Sequence, residues 1–83
     1  MEEYVVYILF SKQHMKTYVG FTSNLIERMK SHNVLGTKGD TIKYRPWIVI
    51  HIQFFTSKKE AMQMEKFYKT GKGREIIKQL IAE

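Results

Sequence analysis

Four side chains in this sequence, Tyr7, Tyr18, Arg28 and Glu65, are of types that could together handle protons and anions. Tyr7 and Tyr18 stand eleven positions apart, in Val5-Val6-Tyr7 and Tyr18-Val19-Gly20, each inside a stretch that reads as a β-strand. A phenol can donate or accept a proton, and a guanidinium can grip a phosphate at two points. Two phenols and Arg28 on one surface would therefore suit phosphodiester chemistry. Each residue also has a plainer explanation. Strands favour tyrosine for packing alone, so Tyr7 and Tyr18 taken singly read as core aromatics, as do Tyr4, Tyr44 and Tyr68.

Glu65 stands out by position. Ala61, Met64 and Tyr68 fall at i, i+3 and i+7 and define an apolar helix stripe, and Glu65 at i+4 lies on it. An ionised carboxylate facing a core is costly unless it is paired or bound to metal. A metal ligand and a rim residue paired with Lys69 at i+4 are the two readings of that position. Leu25, Arg28, Met29 and His32 follow the same spacing, so Arg28 and His32 rise together from a partly apolar face. Arginine there favours a bidentate contact with phosphate or carboxylate. Taken alone, Arg28 reads as a solvated residue beside Asn24 or Glu27, and His32 as an ordinary half-buried histidine.

The elements that must position these groups are legible. Tyr4 to Phe10 is apolar throughout and reads as a strand covered on both faces. Ser11 to Met15 makes a hairpin connection, and Lys16 to Phe21 returns as the second strand. Thr22 or Ser23 caps a helix running to about Asn33. Residues from Val34 to Arg45 are polar and aperiodic, a loop broken by Pro46, and Trp47 to Phe55 is a third strand. Ser57 and Glu60 form a capping box for a helix to about Thr70. Gly71 ends that helix, Gly73 limits the next, and a last helix begins near Arg74. The expected fold is α+β, a three-stranded, mostly antiparallel sheet with helices packed on it in the order ββαβαα.

Eighty-three residues are expected to form one domain over 1–83 with a single small core. Cysteine is absent, which removes disulfides and thiolate metal sites and fits a reducing, cytoplasmic setting. No apolar run approaches the ~20 residues needed to span a bilayer, so no membrane partner is expected. The net charge of +6 favours a polyanion, with nucleic acid the commonest such partner. Lys69-Thr70-Gly71-Lys72-Gly73-Arg74 offers cations and glycines before a helix, suited to backbone phosphate although it lacks P-loop spacing. Lys38, Lys43 and Arg45 extend that candidate surface. No dinucleotide glycine pattern or serine nucleophile elbow is present.

In order and spacing the motifs resemble the GIY-YIG nuclease family, specifically small free-standing members akin to the N-terminal nuclease module of the repair excinuclease. The likeness rests on Val5-Val6-Tyr7, Tyr18-Val19-Gly20, Asn24-Leu25 with Arg28 and His32, Arg45-Pro46-Trp47, Glu65 and Lys72-Gly73-Arg74, and spans nearly the whole chain. It implies a divalent-metal DNA endonuclease, with roles in repair or recombination. One weakly held Mg²⁺ or Mn²⁺ would have Glu65 as its only protein ligand. It further implies that Tyr18 is the general base or positions the attacking water, that Tyr7 hydrogen-bonds within the site, and that Arg28 meets charge on the phosphoryl group. His32 falls where relatives carry a histidine or tyrosine. The sequence departs from the family at Val5, where the name-giving glycine would stand, and at Phe21, where repair-type members carry lysine. The asparagine often found beyond the metal glutamate has no counterpart. Two other readings fit the same residues: a non-catalytic nucleic-acid-binding module that targets a partner complex, and a protein-interaction domain using Trp47. With no second domain expected, a protein partner could supply substrate specificity.

Overall fold

Strand β1, Tyr4–Ser11, is the axis of the molecule because its residues are apolar on both sides. Val5 to Phe10 are all buried, with Val6, Tyr7, Ile8 and Leu9 wholly so. An apolar strand of this kind is stable only in the centre of a sheet with both faces covered, and β1 occupies that place. In this computed structural model, which describes residues 3–30, 32–33 and 43–82, the second and third strands flank β1 on either side and both pairings are antiparallel. The order of elements is ββαβαα, as the sequence predicts. No described helix is long and apolar enough to cross a membrane.

Strand β2, Lys16–Thr22, returns from a four-residue turn, where Met15 takes a left-handed conformation at φ 54°. Strand β3, Ile48–Phe55, pairs on the other side and starts one residue later than expected, because Trp47 leaves the sheet to cover it.

Successive residues of β1 point to opposite faces, and this alternation divides the core in two. Val6 and Ile8 join Val19, Ala61, Tyr68 and Ile77 beneath helices α2, Lys58–Tyr68, and α3, Gly71–Ala82. Tyr7 and Leu9 join Trp47 on the other face, with Tyr18, Leu25, Met29 and Tyr44 packed around them.

Helix α1 spans Leu25–Lys30, and its cap differs from expectation. Asn24 is the capping residue, its Oδ1 accepting from the Glu27 amide at 3.2 Å. Thr22 braces the turn instead, accepting from the Asn24 amide at 3.0 Å. His32 and Asn33 lie in a wider, π-type turn beyond α1. For α2 the cap is the one expected: Ser57 Oγ accepts from the Glu60 amide.

The junction of α2 and α3 corrects the sequence reading. Gly71 and Gly73 do not separate the helices; they form the first turn of α3, three residues before the expected start. Thr70 is the reason. Its hydroxyl accepts from the Gly73 amide at 3.2 Å and donates to the Phe67 carbonyl at 2.6 Å, capping one helix while holding the end of the other. Gly73 is needed for closeness, since a Cβ there would run into the Phe67 carbonyl and the Tyr68 backbone. The basic segment expected as a phosphate-binding loop is therefore helical from Gly71 onward.

Candidate active site

The site is built outward from Tyr7, which β1 holds at the centre of the sheet with no exposed surface. Its ring reaches across the edge strand β2 at Gly20, its register partner. A Cβ on Gly20 would lie 2.5 Å from the Tyr7 hydroxyl and 2.7 Å from Cζ, so only glycine leaves room for the phenol. Gly20 is thus part of the site, although in the sequence it stands only as a motif letter.

Three groups surround the Tyr7 hydroxyl. His32 Nε2 is 3.1 Å away, the positive charge of Arg28 on α1 bears on the phenol, and the charge of Glu65 reaches it from α2. A cation beside the phenol oxygen favours turning its proton toward His32 Nε2. The histidine must then present a lone pair, and its environment agrees. Burial, followed by the positive charges of Arg28 and Arg45, lowers the His32 pKa below its ordinary value, which favours the neutral ring. Burial likewise pushes Tyr7 up to about 12, with the neighbouring Tyr18 adding to the rise; Arg28 opposes it and Glu65 adds slightly. At neutral pH Tyr7 is therefore a fixed, protonated phenol. It positions its neighbours and is a poor base.

Tyr18 is the more accessible phenol. It is half-buried, its ring 6.3 Å from that of Tyr7, 4.9 Å from His32 and 6.3 Å from Trp47. These contacts fix its ring without burying it. Arg28 is exposed, so a guanidinium whose charge already bears on Tyr7 can also meet an anion from solvent.

Glu65 comes from α2, whose apolar stripe covers the other side of the sheet, yet its charge acts on the Tyr7 phenol. Its side chain is only 20% exposed, and Oε1 accepts from Lys69 Nζ at 2.8 Å. Both readings of this residue thus have a physical basis: it is paired with Lys69, and it is within electrostatic reach of the tyrosine cluster. Among the described residues no group of three or more His, Asp or Glu could enclose a metal. A lone carboxylate still fits a hard cation such as Mg²⁺, which keeps several waters and completes its shell with substrate phosphate oxygens.

The segment before β3 holds the cluster from above, by contacts the sequence does not announce. Asn33 Nδ2 donates to the Trp47 carbonyl at 3.1 Å, while the Trp47 amide donates to Asn33 Oδ1 at 2.7 Å. Arg45 Nε donates to the His32 carbonyl. A part-buried side-chain amide matched at both ends is a stiff joint. Trp47 is 4% exposed, so it is a core residue and no surface anchor for a protein partner.

The expected cationic residues are spread more widely. Lys43 is exposed, Arg45 is half-buried in the clamp just described, and Lys38 lies outside the described residues. Lys72 and Arg74 are exposed on the first turn of α3, and Lys69 is taken up by Glu65. Phe21, in place of a site lysine, packs with the aliphatic cluster under α2 and α3.

Comparison with known proteins bears on this arrangement directly. A model of the GIY-YIG catalytic domain matches residues 3–78. The chain is 31% identical to the UPF0213 protein SH2523 of Staphylococcus haemolyticus over 80 residues, covering 96% of each. It is 38% identical to the UPF0213 protein YazA of Bacillus subtilis over 65 residues, 71% of this chain and 62% of that one. The solution NMR structure of the UPF0213 protein BH0048 from Bacillus halodurans superposes with a TM-score of 0.56 at 28% identity, covering 94% of this chain and 84% of the other.

Proposed function

The chain belongs to the GIY-YIG family of nucleases, and from that premise we propose that it is a divalent-metal-dependent endonuclease that hydrolyses phosphodiester bonds in DNA. The observation that carries this reading is the convergence of Arg28, His32, Tyr18 and Glu65 on the Tyr7 phenol. A structural core needs none of those charges.

In this reading Arg28 binds the scissile phosphate and meets the charge that grows on its oxygens during in-line attack by water. Tyr18, fixed by ring contacts yet accessible, would orient that water and, as a phenolate, take its proton while the new oxygen–phosphorus bond forms and the bond to the leaving oxygen breaks. Tyr7 stays protonated, donates to His32 and faces the Arg28 charge, so the histidine arrives at the substrate already oriented. Glu65 would hold a single Mg²⁺ or Mn²⁺, which when bound supplies Lewis-acid polarisation of the phosphate and stabilises the leaving oxygen. Lys69 occupies Glu65 in this structure and would yield to that cation. Lys38, Lys43, Arg45 and Lys72 are assigned to the DNA backbone, contacts that confer affinity without sequence choice.

One specific observation favours a second reading. The Glu65–Lys69 pair is a complete structural use for the carboxylate, as a non-catalytic nucleic-acid-binding module would have. The substitution Glu65→Gln separates the two. Incubated with plain, nicked, flapped and looped DNA and Mg²⁺ or Mn²⁺, the parent should cut. The variant should lose at least about 10²-fold in rate while keeping its DNA affinity. A variant that cuts as fast as the parent would return Glu65 to the rim role.

A further inference from the structure

On the sheet face opposite Tyr7, the turn end of the β-hairpin and helix α3 enclose a groove of about 620 Å³. Phe10, Val19, Ile77 and Ile81 form its apolar floor. Its rim carries Lys16, Lys69, Arg74 and Lys78, and among the described residues no acidic side chain lines it. The nuclease reading uses neither the apolar floor nor Lys16 and Lys78. Lys69 ties it to the catalytic cluster, because the same ammonium holds Glu65.

The chemistry of the lining narrows the occupant. An apolar floor gives phosphate nothing, so a nucleic acid would use the rim and leave the floor wet. A lipid bilayer would need a convex apolar surface, whereas this one is concave. Cations along the rim with aliphatic and aromatic carbon at the bottom match a helix with an apolar stripe flanked by carboxylates. The groove has the volume for a few such side chains. Met15, 69% exposed at the groove mouth, offers a flexible, polarisable contact of the kind that adapts to helix side chains.

We propose that the groove between the β-hairpin and α3 docks an acidic amphipathic helix of a partner protein. The partner's leucine-type side chains enter over Ile77 and Ile81, and its carboxylates meet Lys16, Arg74 and Lys78. Docking there sets the partner beside Lys69 and hence beside Glu65, without covering the tyrosine face.

The test needs neither DNA nor metal, so its outcome is independent of whether the protein cleaves. A labelled synthetic helix with a leucine stripe and glutamate flanks is titrated into the full chain, in parallel with the same peptide carrying lysine flanks. The acidic peptide should bind with a dissociation constant of about 1–100 µM and the basic one at least about tenfold more weakly. Amide shifts on binding should fall on Thr17, Val19, Ile77 and Ile81. Lys16→Glu/Arg74→Glu/Lys78→Glu should weaken the acidic peptide about tenfold or more, and Met15→Asp, an exposed site whose left-handed backbone suits aspartate, should weaken it several-fold. Equal binding of both peptides would overturn the proposal, as would shifts confined to the tyrosine face. Displacement of the peptide by a short DNA duplex, or by anionic phospholipid vesicles that shift the same groove amides, would also overturn it.

Discussion

Tyr7 and Tyr68 are both buried tyrosines, one on each side of the sheet, with the Tyr7 hydroxyl the more deeply enclosed. Burial raises the pKa of both. There the likeness ends. The Tyr68 hydroxyl donates to Gln53 Oε1 at 2.7 Å and lies 3.3 Å from His51 Nε2, and burial is the sole cause of its shift. Tyr7 instead stands among Tyr18, Arg28 and Glu65, each of which acts on its proton. Desolvation marks both phenols as interior residues. Charge around the phenol is what distinguishes the Tyr7 position from the packed Tyr68.

The two faces differ in the same sense. Under α2 and α3 the sheet is held by aliphatic burial and close helix contact. On the tyrosine face α1 is six residues long and buries none of them. Order there comes from ring contacts, the Asn33–Trp47 clamp and the Arg45 bond to His32. A thin cover of this kind fixes the groups while leaving Tyr18 and Arg28 open to solvent. In the proposed function one face supplies stability and the other chemistry, and substitutions should then sort by face.

The largest expected contrast is between Arg28→Lys and Ile77→Ala. The lysine variant keeps a charge but loses the fork that grips phosphate at two points, so cleavage should fall by about 10²-fold. Its unfolding free energy should stay within about 0.5 kcal/mol of the parent, because the position is exposed. Ile77→Ala should behave oppositely, costing about 2–5 kcal/mol in denaturant unfolding with turnover per folded molecule unchanged. If both substitutions reduced both quantities alike, the division by face would be wrong.

Gly20→Ala is a sharper probe of the same division, because it adds one methyl group between β2 and the Tyr7 ring. Overpacking should cost about 1–3 kcal/mol and dislodge the phenol from His32 and Arg28. In a Tyr7→Leu background the ring is gone and the Tyr18 Cε1 contact at 3.0 Å remains, so the same substitution should cost less than in the parent. Equal costs in the two backgrounds would mean that Tyr18, and not Tyr7, is what resists the methyl.

A smaller effect should be visible in His32. Its folded pKa lies below the ordinary ~6.5, so between those two values the unfolded chain binds the extra proton. The stability this neutral ring contributes is fully present above about pH 6.5 and declines as pH falls through the folded value. Imidazole carbon shifts followed by NMR should show His32 titrating low. Removing one of the cations that depress it, by Arg28→Gln, should move it upward. A His32 that titrates at its ordinary value in the parent would mean the ring is solvated and the cluster open.

Much of the fold is readable where the signal is local. The continuous apolar run of Tyr4 to Phe10 announces a central strand, because only burial on both faces makes such a run stable. The Ser57–Glu60 cap and the stripe through Ala61 and Tyr68 announce α2, and the position of Glu65 on that stripe marks it as unusual. Reading glycine as a stop signal, in contrast, places the start of α3 too late. The deciding interactions are the Thr70 cap and the close approach of Gly73 to the Phe67 and Tyr68 backbone, which a glycine read only as a stop signal does not convey.

The sequence by itself therefore determined the elements, their order and the types of the reactive side chains, since periodicity, capping and residue chemistry are properties of short stretches. Only the tertiary structure decided which of the buried phenols is surrounded by charge. It also revealed Asn33 as the clamp on Trp47, and Gly20 as a gap that the Tyr7 ring must fill. The physical reason is distance. A phenol feels charges within several ångströms of it, and here those charges come from Arg28 on α1 and Glu65 on α2, both remote from Tyr7 along the chain.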